Sequence, residues 1–502
     1  MLHLPNEILE AIASWLETQR DIYALVRTSR QLRDALNSTL YRRNVEDSGG
    51  SALTWAVDYR REETAIKAIR AGAPGGEALW CSVFHKDEKM VKLILSEMRR
   101  GNDDAYKVLD RAIERGHAPV VKLLMEYAGI AADSPVMRNS LGVQGQTPLC
   151  RALYWQQEPV IEMMMSLGEI DINARGYMRG TPFTMAAALG LAATIKLFLD
   201  SGKVDAGSYA DDNSSALMLA ISRSHDDIAK MLLVQDGVDV NHANNYGHRA
   251  LSLAAEQGLL DVVKTLIGME NVDVDFKDRY GCTPLAYASS EGYLSIVELL
   301  LDSGGVDPDS RTVWGETPFI LASSNGHIAV MRCLVDTGKI DVWARCDDDT
   351  TAFSSALDLG DLSVLELIMK LQESTFDERS VEDYRKTLAR AVYAQRLPII
   401  ELLLHSGLID INEVDERGRT ALHHACGLHA EEVVEYLLQR EGINANVGDD
   451  KGFTPLMLAA ASSLGLPTVK ILLQSGKVDI DLQSNDGFMQ YRSRPTWASI
   501  IQ

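Results

Sequence analysis

Along most of this chain, apolar and polar positions alternate in blocks of thirty-odd residues that repeat one another. The stretch from Tyr280 to Asp309, YGCTPLAYASSEGYLSIVELLLDSGGVDPD, shows the block in full. A threonine and proline open a short apolar run, a glycine ends it, and a second run follows with Ile296, Val297, Leu299 and Leu300 at i, i+3, i+4 spacing. A polar stretch rich in Asp and Gly closes the block. The two runs predict two helices, each with one apolar face. Counting from Thr283, equivalent positions are Thr147, Thr181, Ser215, Arg249, Thr317 and Thr351 at steps of 34, then Thr387, Thr420 and Thr454. A fixed period of that length predicts a solenoid, because one helix pair cannot cover its own apolar face.

The other columns of the block have physical reasons. The reference threonine can cap the first helix, whose first turn accepts a proline because that missing N–H has no intrahelical partner anyway. Five residues on stands a small residue: Ala56, Ala112, Ala152, Ala186, Ala220, Ala254, Ala288, Ala322, Ala356, Ala425 and Ala459. Only a short side chain there lets the next helix pair approach. Gly116, Gly190, Gly258, Gly292, Gly326 and Gly360 end the first helix in a left-handed conformation. Two residues before the reference, Gly, Asn213 or Asp349 marks a tight hairpin, since all three tolerate positive φ.

At these residues the chain resembles the ankyrin repeat, whose pattern T-P-L-H-x-A follows a short hairpin. The resemblance covers about nine-tenths of the chain. It departs at the histidine, which only His423 keeps. Residues 1–46 do not follow the repeat. Their apolar spacing predicts three short helices: one with Ile8, Leu9, Ile12 and Leu16 after Pro5, one with Ile22, Leu25 and Val26, and one capped by Ser29 with Leu32, Leu36 and Leu40. Leu4-Pro5, Glu7-Ile8-Leu9, Ser29-Arg30-Gln31-Leu32-Arg33 and Leu40-Tyr41-Arg42 resemble the F-box pattern in order and spacing. An F-box implies docking to the Skp1 adaptor of a cullin-RING ubiquitin ligase, through Leu4, Pro5, Ile8, Leu9, Ile12, Leu16, Leu32, Leu40 and Tyr41. The combination resembles a fungal-type family loosely and leaves the organism open. The resemblance implies a substrate-recognition adaptor that does no chemistry and holds a protein substrate on the concave face of the repeats. The competing reading is an ankyrin scaffold whose first helices only cap the array.

The expected fold is thus all-α: an ankyrin-repeat solenoid with β-hairpin fingers, preceded by a small three-helix F-box-like module. The expected divisions are a module at 1–46, a flexible linker at 47–50, degenerate repeats at 51–146, regular repeats at 147–369, an irregular insertion at 370–386, repeats at 387–486 and a partial cap at 487–502. The insertion predicts a bend or a lengthened helix. Composition adds little to the fold but narrows the partners. A formal net charge of −22 disfavours nucleic acid and anionic membrane and favours a basic protein partner. Six scattered cysteines without a C-x-x-C pair suit a reducing compartment, and no apolar run reaches membrane-spanning length. The expectation is a cytoplasmic or nuclear protein without cofactor.

His423, Cys426 and His429 stand at i, i+3 spacing and could meet on a helix as metal ligands. The repeat register accounts for them without metal: the repeat histidine, a small buried site, and the residue replacing the helix-ending glycine. The recurring Asp-x-Asp pairs, Asp273 with Asp275, Asp307 with Asp309 and Asp479 with Asp481, read as solvated hairpin positions rather than cation ligands. Met163, Met164 and Met165 read as core packing. No nucleophile elbow or phosphate-cradling loop stands out, so no catalytic residue is expected. The candidate partner site lies at the hairpin tips, where Tyr246, Tyr280 and Trp314 fall three residues before successive reference positions. Asp211, Asp212, Asp278, Asp347, Asp348 and Asp349 crowd the same edge. Such aromatics either anchor a partner or pack across the neighbouring finger, and such acids either steer a basic partner or stabilise turns.

Overall fold

The computed structural model describes residues 24, 27, 30–97, 103–133, 137–138, 144–167, 170–175, 180–371, 378–407, 409–462 and 465–485. These contain 27 helices, together with one two-stranded antiparallel pairing of Met137–Arg138 with Gln144–Gln146. The chain forms two compact units, Met1–Ala250 and Leu251–Gln502.

In the first unit the helix Arg30–Ser48 packs on the first helix pair, Ser51–Asp58 and Glu62–Arg70, with Leu36 fully buried. It runs two residues into the stretch expected as a flexible linker. The joint is instead hydrogen-bonded. Asn44 Oδ1 accepts the Ala52 N–H at 3.0 Å and Asn44 Nδ2 donates to Ser51 Oγ at 3.1 Å. Gly50 has φ 86° and is buried; a Cβ there would lie 2.9 Å from that of Ala73. A polar side chain from the preceding helix has taken over the capping of the next, and the tight turn leaves no slack for a tether. Further pairs follow at Gly75–Phe84 with Glu88–Glu97, Asp103–Glu114 with Ala118–Ala128, and Pro148–Tyr154 with Glu158–Ser166. Counting in the same register, the positions equivalent to Thr283 in the second and third repeats are Glu77 and Lys107, and their first helices start ahead of them: Pro74 precedes the helix holding Glu77, and Lys107 lies inside its helix.

In the second unit the pairs run from Pro284–Glu291 with Leu294–Asp302 to Pro455–Ala461 with Leu466–Gln474. The irregular segment after Leu371 resumes as a 16-residue helix, Glu378–Tyr393. Thr387 is therefore not a cap but an interior residue, its hydroxyl buried without a partner. Between Glu378 and Lys386 no glycine or proline stops the helix, so it extends back past the usual start.

The repeat columns explain the packing in both units. All eleven alanines of the small-residue column are fully buried. Thr147, Thr181, Ser215, Thr283, Thr317, Thr351, Thr420 and Thr454 each accept the N–H three residues on, as N-caps do. Ile296, Val297 and Leu300 are buried, whereas Leu299 is only half-buried. Met164 enters the core and Met163 and Met165 flank it.

The end of the first helix is braced across repeats. Gln157 Nε2 donates to Glu114 O at 2.8 Å, His327 Nε2 bonds to Ser290 O at 3.0 Å, and Arg396 Nη2 donates to Asp358 O at 2.9 Å. Each reaches a carbonyl that the helix itself leaves unpaired. Gly292, at φ 79°, makes room for this brace: a Cβ there would fall 2.4 Å from the His327 ring.

Candidate partner-binding surface

Each hairpin finger is held by two sets of backbone bonds. Within a finger, one side chain five residues before the reference position accepts two N–H groups. Asn244 Oδ1 takes Tyr246 and His248, Asp278 Oδ1 takes Tyr280 and Cys282, and Thr312 Oγ1 takes Trp314 and Glu316. Asp415 and Asp449 do the same at Arg417 and Arg419 and at Lys451 and Phe453. Between fingers, the Val313 N–H donates to Tyr280 O at 2.8 Å and the Asp347 N–H to Trp314 O at 3.0 Å. In the first unit the Asn245 N–H donates to Asp212 O at 2.8 Å.

These bonds sort the candidate acids. Where the column has lost its acceptor, at Ala210 and Cys346, an aspartate two residues on replaces it: Asp212 Oδ1 accepts Ser214 N–H and Asp348 Oδ1 accepts Thr350 N–H, each at 3.0 Å. The Thr350 hydrogen bond holds the Asp348 carboxyl below the usual carboxylate range. Both aspartates thus act as turn formers. Asp278, expected at the exposed edge, is buried because its second oxygen accepts the Tyr287 hydroxyl at 2.5 Å. Asp349 has φ 70° and lies 3.4 Å from Lys386 Nζ. Asp211 and Asp347 are exposed.

The aromatics stay at the surface. In the second unit Tyr280 and Trp314 are 40% and 53% exposed, their rings stacked with centroids 5.8 Å apart and 14° between planes. Tyr246, in the first unit, is 51% exposed. The two rings pack across neighbouring fingers and still leave about half their surface exposed.

Beyond the irregular segment, a groove of about 700 Å³ is lined by Arg385, Tyr393, Glu413, Asp415, Arg417 and His424, among others. The Tyr393 hydroxyl lies 3.0 Å from His424 Nδ1, and His424 Nε2 lies 2.9 Å from Asp415 Oδ2. This hydroxyl–imidazole–carboxylate chain has a structural origin: His424 to Asp415 occupies the same pair of columns as Tyr287 to Asp278. Burial pushes the Asp415 carboxyl up, but the N–H groups of Arg419 and Arg417 and the His424 ring outweigh it and hold it low.

His423 is fully buried with both ring nitrogens engaged, Nδ1 accepting the Thr420 N–H and Nε2 donating to Phe453 O, each at 3.0 Å. Burial lowers its pKa and raises that of the buried Cys426 thiol. Among the described residues no three His, Cys, Asp or Glu side chains form a group that could hold a metal ion. No described helix is long and apolar enough to cross a membrane.

A second polar column was missed in the sequence. Asn173 Nδ2 donates to Lys203 O while its Oδ1 accepts Asp205 N–H; Asn412 makes the same pair of bonds to Gly442 and Asn444, and Asn446 to Lys477 and Asp479. At these three places the asparagine ties its repeat to the next, as one rung of an asparagine ladder. Asp275 and Asp309 occupy the same column, so they are not the solvated positions expected: each is half-buried, and its Oδ1 has no hydrogen-bond partner.

Of the expected adaptor-binding residues, Leu4, Pro5, Ile8, Leu9, Ile12 and Leu16 lie outside the described residues. Leu32, Leu40 and Tyr41 are half-buried on the Arg30–Ser48 helix. The expected cap at 487–502 also lies outside them.

Comparison with known proteins places matches in both parts of the chain. The family model for ankyrin repeats (3 copies) matches residues 79–176, 177–244, 237–312 and 388–486. An F-box-like model matches residues 1–46. The chain is similar to an ankyrin repeat protein of Rickettsia bellii, 38% identical over 96 residues, covering 19% of this chain and 51% of that one. It is also similar to one of Rickettsia felis, 35% identical over 96 residues, covering 18% and 24%, and to one of fowlpox virus, 30% identical over 125 residues, covering 24% and 36%. The matched part thus spans about half or less of the length of each of these relatives.

Proposed function

Because this chain belongs to the ankyrin-repeat family and carries an F-box-like segment ahead of the repeats, we propose that it is a substrate-recognition adaptor of a Skp1–cullin–F-box ubiquitin ligase. Both matched modules are protein-interaction modules without catalytic function of their own. The adaptor's contribution is proximity: it holds a protein substrate near the charged ubiquitin carrier. The observation that carries the reading is the F-box-like match at 1–46, whose last helix continues without a tether into the first repeat. In this reading Leu4, Pro5, Ile8, Leu9, Ile12, Leu16, Leu32, Leu40 and Tyr41 meet the Skp1-like adaptor. The Tyr280–Trp314 stack with Asp347 on the next finger, and in the first unit Tyr246 with Asp211 on the preceding finger, serve the substrate.

One observation favours a second reading, an ankyrin scaffold with a helical cap. The Arg30–Ser48 helix packs on both helices of the first pair, as a cap would. Co-purification separates the two. Full-length chain should retain Skp1 under reducing conditions, and Leu4→Ala with Pro5→Ala should abolish retention while leaving far-ultraviolet circular dichroism unchanged. A wild-type chain that retains no Skp1 leaves only the scaffold.

A further inference from the structure

Neighbouring fingers of one unit share a backbone bond: the N–H of the first tip residue of one finger donates to the carbonyl of the second tip residue of the finger before. Asn245 so meets Asp212, Val313 meets Tyr280, Asp347 meets Trp314 and Asp450 meets Arg417, at 2.8 to 3.1 Å. In the second unit the row is interrupted after Asp348. The next repeat begins with the helix Glu378–Tyr393, and its residues 380–386, in the columns that form a finger elsewhere, are helical. That helix packs between Ala352–Leu359 and Ala421–Gly427, so the stack of repeats continues although one finger is missing. The finger beyond the gap carries Glu416 and Arg417 at its tip. Asp348 O on one rim and the Glu416 N–H on the other make no hydrogen bond among the described residues. The gap thus ends in an unused acceptor on one side and an unused donor on the other. The groove of about 700 Å³ lies against the second rim. Its other charges are already paired: Arg385 with Glu413 at 2.5 Å, Lys386 with Asp349 at 3.4 Å, Arg419 with Asp449 at 3.3 Å and His424 with Asp415 at 2.9 Å. At the tips, Asp347, Glu416 and Arg417 are exposed, and their side chains have no hydrogen-bond or ion-pair partner among the described residues.

We propose that a β-hairpin of a partner protein, with Lys or Arg as the first residue of its tip, stands in the place of the missing finger. That residue donates its N–H to Asp348 O, and the second tip residue accepts the Glu416 N–H. The hairpin so joins the row through the bond that the chain's own fingers use, as an added strand joins a sheet edge. The requirement for a backbone donor and a backbone acceptor on successive residues selects a polypeptide, and it excludes proline at the first tip position. Charge then selects the sequence. In the first tip column the incoming side chain stands between the carboxylates of Asp347 and Glu416, which favours a cation and rejects Asp or Glu. In the second it stands between Asp348, which accepts the Thr350 N–H, and Arg417, so a neutral polar residue such as asparagine, which also suits the turn, fits there.

The test uses the full chain without any ligase component, so its outcome does not depend on the adaptor reading. Disulfide-closed hairpin peptides with two randomised tip residues followed by glycine, displayed on phage and selected on the chain, should enrich Lys or Arg at the first tip position. A selected hairpin, labelled with fluorescein, should bind saturably. The same hairpin N-methylated at that residue, and so without the N–H for Asp348 O, should bind roughly tenfold more weakly. Asp347→Lys with Glu416→Lys should weaken the selected hairpin by roughly tenfold and should prefer its counterpart with Glu at the first tip position. Tyr280→Ala, two fingers away from Asp348, should bind as wild type. Enrichment without regard to tip charge, equal binding of the N-methylated form, or a preference that the charge reversal fails to invert would each overturn the proposal. So would a selection that yields no binder, or self-association of the chain that Glu416→Lys abolishes, since a second copy would then fill the gap.

Discussion

Tyr287 donates its hydroxyl to Asp278, whose other side-chain oxygen holds the hairpin ahead of the helix on which Tyr287 sits. The bond fixes the angle between a finger and its own first helix, and with it the position of Tyr280 at the fingertip. Burial, then the hydrogen bond to Asp278, push the Tyr287 hydroxyl well above its ordinary pKa, so it stays a donor throughout the working range. Tyr287→Phe removes one donor from a buried carboxylate and should cost about 1 to 3 kcal/mol. A urea midpoint unchanged by the substitution would show that the bond is dispensable.

The asparagine ladder makes a prediction about pH. In Asp275 and Asp309 an oxygen stands where the asparagines carry a donor, so the ionised acid faces its neighbour repeat one hydrogen bond short. Burial raises both pKa values, with Asp307 and Asp273 adding to it at Asp275 and Asp341 and Asp307 at Asp309; one backbone N–H and a nearby cation, Lys277 or Arg311, oppose it. A raised folded pKa means that the folded state holds the proton more tightly than the unfolded chain. Stability should therefore fall as pH rises from about 3.9, the unfolded value, through the raised folded value, and stay lower above it. Asp275→Asn with Asp309→Asn should remove that decline and stabilise the chain at pH 7 by about 1 kcal/mol per site. Denaturant titrations of both proteins from pH 4 to pH 7 would read it, and parallel curves would count against the ladder.

Gly292 and Gly304 allow strain and close approach to be separated. Their φ angles are 79° and 80°, but a Cβ at Gly304 meets nothing within 4 Å, whereas one at Gly292 meets the His327 ring. Gly304→Ala should cost only the left-handed strain, roughly 1 kcal/mol. Gly292→Ala should cost more and displace His327 from Ser290 O, visible as a changed imidazole chemical shift. Equal costs would mean that the brace yields freely.

For the fingertip stack, the expected outcome is kinetic. Once a partner is identified, Trp314→Ala should shorten the lifetime of its complex, by roughly 2 kcal/mol if the ring is an anchor. Asp347→Asn should act on the association rate and its salt dependence, because the carboxylate is exposed. Asp348→Asn should also slow association, because that carboxylate is exposed too, while asparagine keeps the turn bond from Thr350. Surface plasmon resonance at two ionic strengths separates the anchor from the two charges.

The repeat register was legible because its columns are steric: Ala288, Gly292 and Thr283 stand where one side-chain size or one cap will do. The polar columns were harder to see because each accepts several residue types. Asn244, Asp278 and Thr312 share no chemical class, only the ability to accept two N–H groups. That equivalence appears only when the bonds are drawn. The turn role of Asp212 and Asp348, one of the two roles expected for the fingertip acids, becomes visible only in the bonds, where they replace the usual acceptor lost at Ala210 and Cys346. Thr387 matched the spacing but not the start of a helix, since nothing upstream of it breaks one.

The joint at Asn44, Gly50 and Ala52 carries a mechanical meaning. With a disordered tether, any residue within its length could visit a partner's reactive centre, and length would set how often. A capped helix-to-helix joint works as a lever. Whatever is held on the first repeats is pointed in one direction from the Arg30–Ser48 helix, so access becomes a question of aim rather than of chance encounter.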